Sequence, residues 1–231
     1  MAKTLVYHFE FPDGRTESLQ VVPPVPVRTE GELPPWTELG FEKCSNCPLS
    51  SSQSPRCPMA VRFVPLVHLF GRLHSYDDVV ARVETEERTV SKRTTVQRVL
   101  RSLMGLLAAS SDCPRVTFLK PMAHFHLPFS TSEETIFRVV STYLLSQYFR
   151  KKGGEEIEAD LEGLKESYRQ LQQVNAAMAK RMNAIRVEDC DGAINALALL
   201  DIFAQSLPDS IDHDLEELQP AFEKLLDVQT G

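Results

Sequence analysis

Apolar and polar positions alternate at the start of the chain, with Leu5, Tyr7 and Phe9 on one face of the stretch from Lys3 to Glu10. Pro12-Asp13-Gly14 follows, then a second β-rich run from Thr16 to Val22, so a β-hairpin is predicted. Nine of the fifteen prolines precede residue 59, and Pro23, Pro24, Pro26, Pro34 and Pro35 exclude regular helix there. Residues 23 to 60 are therefore expected to be irregular and extended. So long a segment without regular structure needs another source of order, and a bound metal would supply it. A short apolar helix is expected around Val61 to Leu73, and one or two strands over Val79 to Val90.

From Thr94 the period lengthens to that of a helix, with Val96, Val99, Leu100, Leu103, Met104 and Leu107 at threes and fours. Cys113-Pro114 ends it, a short strand is expected at Val116 to Leu119, and Pro121 to Pro128 reads as a loop. Thr131-x-x-Glu134 has the form of a capping box and opens a helix to Lys152, stopped by Gly153-Gly154. Apolar residues cover most of its circumference, which marks it as the expected central core helix. A further helix over about Glu155 to Ile185 repeats apolar residues at fours and threes through four heptads, with Asn175 in the seam. Its flanking positions lack the alternating charges of a dimer seam. An antiparallel bundle helix within one chain is preferred to self-association through residues 157–185. Shorter helices are expected at Ala193 to Leu207 and Leu215 to Leu226.

These elements define an α+β protein, an N-terminal β-hairpin and cysteine-bearing irregular segment packed on a mainly α-helical body. They divide into residues 1–92 and 93–231, or run as one continuous domain. The 231 residues suffice for a sizeable core without disulfides. No apolar run approaches the length of a membrane span, and the N-terminus lacks the form of a secretory signal, so a cytoplasmic protein is expected. The net charge of −7 argues against a nucleic-acid binder. That charge is unevenly placed: residues 1–154 carry 19 Lys and Arg against 15 Asp and Glu, and residues 155–231 carry 6 against 17. An anionic ligand is thereby disfavoured only for the last third of the chain.

Five cysteines in a reducing compartment are read first as metal ligands or redox groups. Cys44-Ser-Asn-Cys47-Pro, followed ten residues later by Cys57-Pro, lets two thiolates reach one cation from a single turn of backbone while a third closes a face of the tetrahedron. Cys113, also followed by Pro, is the first choice of fourth ligand, with His124 and His126 as alternatives. Cys190 lies between Asp189 and Asp191 and is set aside. Zinc is the leading tenant and an iron–sulfur cluster the alternative.

Two other groups carry chemistry. His124-Phe125-His126 offers an imidazole as general base, and Lys92, Arg93 and Arg98 offer an anion-binding wall. Satisfied core histidines and a solvated basic face are the plainer accounts of each. Glycine-rich phosphate loops, the nucleophile elbow of serine hydrolases, the zincin motif and the EF-hand loop are absent from the sequence.

Read together, Cys44-Ser-Asn-Cys47-Pro-Leu, Ser91-Lys-Arg-Thr-Thr, Ser102-Leu-Met-Gly-Leu and Phe125-His-Leu-Pro-Phe resemble a bacterial family catalogued only as a domain of unknown function. The resemblance spans most of the chain and implies a bacterial cytosolic setting without a mechanism. The leading expectation is a non-enzymatic metal-binding interaction or regulatory protein with Cys44, Cys47, Cys57 and Cys113 as ligands. The alternatives are an enzyme acting on an anionic substrate beside His124 or His126, and a thiol redox sensor built on Cys44 and Cys47.

Overall fold

The computed structural model describes residues 4–23, 32–70, 72–157, 160–185, 191–213 and 215–223. The expected hairpin is β1 (Leu5–Glu10) and β2 (Thr16–Val21), paired so that Tyr7 faces Leu19. A second hairpin, β3 (Asp78–Glu84) and β4 (Thr89–Thr95), joins it through β1 to give an antiparallel sheet of order β2-β1-β3-β4. Alternation places Leu5, Tyr7 and Phe9 of β1 with Val79, Ala81 and Val83 of β3 on one buried face. Phe9 and Phe11 meet Phe70 edge-on, at 5.0 and 5.7 Å between ring centroids. Each such buried ring contributes about 2–3 kcal/mol.

Phe70 ends α1 (Pro58–Phe70), which starts where Cys57-Pro58 fixes the first turn, three residues earlier than the apolar run suggested. The helix after β4, α2 (Val96–Ala109), follows the sequence pattern and touches α1, α6 and the sheet. It holds the centre that the sequence assigned to the helix opened by Thr131. That helix, α4 (Ser132–Lys152), does have its capping box, with Thr131 and Glu134 exchanging bonds. It is peripheral, however: Ile136, Val139 and Val140 are buried while Phe137, Leu144, Leu145, Tyr148 and Phe149 are exposed. One stripe finds a partner surface and the rest of the circumference does not, a matter of docking that periodicity does not contain.

The strand expected at Val116 to Leu119 is instead a 3-10 helix, Pro114–Leu119, continued by the short α3 (Lys120–His124) where a loop was expected. Pro114 and Pro121 each occupy a first-turn position, where proline's missing N–H costs nothing. The heptad helix, α5 (Glu162–Ala184), begins later than Glu155 and pairs with α6 (Gly192–Asp212) inside the chain. Its seam residues Leu164, Tyr168, Leu171, Met178 and Met182 are buried there, and Asn175 donates to Asp201 Oδ1 of α6 at 3.3 Å. At the α6 N-terminus a Cβ on Gly192 would sit 3.0 Å from Val96 Cγ1 and 3.3 Å from the Leu73 carbonyl, so glycine permits this close approach to α2. The helix expected at Leu215 to Leu226 is, over its described part, a set of turns with a 3-10 turn at Gln219–Ala221. One hydrophobic cluster runs from Leu5 to Leu218, and the 92/93 division falls inside β4.

Candidate functional site

The segment from Glu32 to Cys57 is irregular, as the prolines require, and its order comes from arginines. Arg181 of α5, 1% exposed, donates to the carbonyls of Trp36, Glu38 (2.8 Å) and Leu39 (3.3 Å). Arg56 donates to the Pro34 carbonyl and Thr37 Oγ1, both at 2.9 Å. Carbonyls of this segment are thus held by guanidinium donors, those of Pro34 and Glu38 in addition to the N–H groups of Thr37 and Phe41.

The Cys44-to-Cys47 turn closes through the Cys47 N–H donating to the Cys44 carbonyl at 3.1 Å. It is tied to α5 by Ser45 Oγ donating to Gln173 Oε1 (2.9 Å) and Asn46 Nδ2 donating to the Gln170 carbonyl (3.0 Å). Arg115, two residues past Cys113, donates to the Asn46 carbonyl (2.7 Å) and Gln170 Oε1 (2.8 Å). This clamp draws the Cys113 turn to the Cys44 turn. Cys57 arrives at the start of α1, its N–H bonded to the Thr37 carbonyl at 2.7 Å.

All four are unpaired thiols, and they share one neighbourhood. Burial pushes the Cys44 thiol up to about 11, and Cys57, Cys113 and Cys47 push the same way, while the Arg181 cation opposes them. Burial also raises Cys113, with Cys57 and Cys47 adding to it and the N–H groups of Arg115 and Val116 donating to its sulfur in opposition. Cys44 and Cys113 thus each feel other thiols of the set, while the Arg181 guanidinium beside Cys44 and the two N–H groups at Cys113 favour the thiolate forms against burial. The sulfurs are not drawn to one point: among the described residues no three His, Cys, Asp or Glu side chains are gathered as a single metal ion needs. Cys190 lies outside the described residues.

The two histidines part company. His124 is exposed and packs edge-on to Phe125 at 4.7 Å. His126 turns inward to a cavity of about 150 Å³ lined by residues of α1, α2, α3, α4, α5 and α6. Burial, and then Arg138, lowers its pKa to about 3, so the ring is neutral. Tyr7, whose own pKa burial raises, lies 2.6 Å from His126 Nε2 and is also bonded to Ser102, whose Oγ accepts from the Phe129 N–H at 3.3 Å. With both rings uncharged, the phenol and Nε2 share one proton-bearing bond, donated by the phenol when the imidazole proton is on Nδ1 and by the imidazole when it is on Nε2. Arg98 lines this cavity with Arg101 and Arg138, whereas Lys92 and Arg93 are exposed on β4. The expected basic wall is therefore split, and its cavity part is completed by Arg101 and Arg138.

Arg181, Arg115 and Arg138 were not singled out by sequence reasoning. Arg181 did carry a signal, standing beside Met182 of the heptad seam. No helix among the described residues is long and apolar enough to cross a membrane. A family model described as a domain of unknown function (DUF6901) matches residues 5–223. No curated protein and no solved structure matches the chain.

Proposed function

The chain belongs to the DUF6901 family, and we propose that it is a metal-binding protein of interaction or regulatory type, with Cys44, Cys47, Cys57 and Cys113 as thiolate ligands. The observation that carries this is the mutual electrostatic contact of four unpaired thiols contributed by three separate segments, with the buried Arg181 cation acting on Cys44. Arg181 makes no ion pair among the described residues; its charge rests on carbonyls and on the Phe41 ring, 5.8 Å from the guanidinium carbon to the ring centroid. A centre with four thiolates is net negative, whether it holds zinc or a cluster, and such a cation stabilises it.

Zinc holds four sulfurs within ~3.8 Å of one another, given its ~2.3 Å bonds and tetrahedral shape. The residues at 44–57 would have to tighten to provide that. A cubane iron–sulfur cluster takes its thiolates on four separate iron corners, more widely set, and is the alternative. Redox cycling of Cys44 with Cys47 is less favoured, because a thiol pushed up to about 11 is a poor nucleophile at neutral pH. A cytoplasmic, reducing setting belongs to the same proposal. The exposed apolar face of α4, from Phe137 to Phe149, supports a protein-contact role, whereas the α5 seam is filled by the chain's own α6.

The test is metal analysis with a visible spectrum on protein purified without oxygen, repeated on single Cys→Ser variants. Iron and sulfide with broad visible absorbance identify a cluster; one equivalent of colourless zinc identifies a zinc centre. Absence of both metals, or retention of metal in the Cys57→Ser and Cys113→Ser variants, overturns the proposal.

A further inference from the structure

The cavity walled by α2, α4 and α5 lies apart from the thiols and has a mixed character. Its interior is apolar, with Leu106, Leu171, Leu200 and Phe203 among its walls, and no Asp or Glu lines it. Three guanidiniums reach it. Arg101 donates to the Ser130 carbonyl at 3.3 Å, and Arg138 to the carbonyls of Met122 (3.1 Å) and Phe125 (2.7 Å). Arg98 is exposed and makes no ion pair or hydrogen bond among the described residues, while its charge acts on Arg101. The nearest acidic influence is Glu134 on Arg138, and that carboxylate is already engaged with the Thr131 N–H at 2.7 Å. Arg98 and Arg101, like charges held together without an ion pair among the described residues at the edge of an apolar hole, are the complement of an amphipathic anion.

Gly105 is the second observation. It stands in the interior of α2, where glycine costs about 1 kcal/mol relative to alanine. A Cβ there would meet only Leu200 Cδ2, at 3.8 Å, an ordinary contact. Packing of α2 against its neighbours does not require the glycine; it does leave the cavity open on the α2 side. The volume of about 150 Å³ matches that of cavities known to take a benzene ring.

We propose that this cavity binds a small monocarboxylate whose apolar body, of about five to eight carbons, lies against α2, α5 and α6 and whose carboxylate meets Arg98 and Arg101. Neutral His126, with Nε2 already taken by Tyr7, forms part of the wall and presents no positive charge of its own.

Isothermal titration calorimetry of the full chain with benzoate and hexanoate tests this, with benzyl alcohol and hexanol as neutral matches. Saturable one-to-one binding of at least one carboxylate is expected with Kd of about 0.1–1 mM, and at least tenfold weaker binding of the matching alcohol. Arg98→Gln, at an exposed position, should weaken the carboxylate about five- to tenfold, and Gly105→Leu, which fills the space, should remove binding. No saturable heat with either acid, equal binding of acid and alcohol, or unchanged affinity in Arg98→Gln would each overturn the proposal. Should Gly105→Leu not fold, the alcohol comparison and Arg98→Gln still decide it. Metal content plays no part in the readout, so failure here is distinct from failure of the thiolate centre.

Discussion

Replacing His126 with Gln should flatten the acid side of the stability curve. In the folded chain the ring has a pKa of about 3 because burial, and then Arg138, disfavour the imidazolium. In the unfolded chain it returns to about 6.5, so the unfolded state binds the extra proton first. The contribution is present in full above about pH 6.5 and is lost progressively as pH falls toward 3. A difference of about 3.5 units corresponds to roughly 5 kcal/mol in total, of which roughly 3 falls between about pH 7 and pH 4. The ring is only partly shielded where it lines the cavity, and solvent there trims the figure to about 2–3 kcal/mol. Gln keeps a carbonyl that can accept from Tyr7 and has no proton to gain. Urea unfolding followed by far-ultraviolet circular dichroism at several pH values gives the two curves. Carboxylates common to both proteins cancel in their difference. Wild type should lose about 2–3 kcal/mol more than the variant between about pH 7 and pH 4. Parallel curves would refute the assignment of His126 as a buried neutral ring.

Arg181→Met should destabilise the chain by about 3–5 kcal/mol, since the carbonyls of residues 36, 38 and 39 lose the guanidinium, residue 38 keeping only the Phe41 N–H; denaturant melts check this, and a change under about 1 kcal/mol would count against the fork as the organiser of residues 32–57. Gly105→Ala should stabilise by about 0.5–1 kcal/mol, read as a raised Tm, because the new methyl meets only Leu200 Cδ2 at 3.8 Å. Metal uptake should release protons and tighten as pH rises toward the Cys44 value of about 11, as pH-stat titration with zinc or ferrous ion would record; uptake indifferent to pH would exclude thiol ligation. Thr131→Ala should cost about 1 kcal/mol through loss of the α4 capping box, with Thr131→Ser restoring most of it in the same melts.

Local rules carried a good part of this fold. Alternation about Tyr7 with the Pro12-Asp13-Gly14 turn announced β1 and β2; the Thr131 and Glu134 pair announced the start of α4; the spacing from Val96 to Leu107 announced α2. Those features depend on neighbours one to four residues apart, so the chain itself contains the cause. The four cysteines were legible as residue types, because thiols are rare enough for their spacing to carry meaning, though the sulfurs are not gathered at one point. What brings Cys113 toward Cys44 was not legible: Arg115 and Gln170, 55 residues apart, hold that junction, and no periodicity connects them.

The same division explains the errors. Apolar residues all round α4 suggested a core position, yet helix burial is decided by which surfaces dock, and α2 holds the centre between sheet and bundle. Val116 to Leu119 has strand-like residues but no strand to pair with, and Pro114 starts a 3-10 turn in its place. His124 and His126 differ by two positions in sequence and by everything in environment, one in solvent and the other under Tyr7 at the wall of a cavity lined by six helices. Composition and spacing alone thus determined which side chains this protein has for chemistry and where its hairpin and main helices run. Only tertiary structure decided which of them meet, because burial, charge pairing and cavity shape arise from contacts between segments that the chain order keeps far apart.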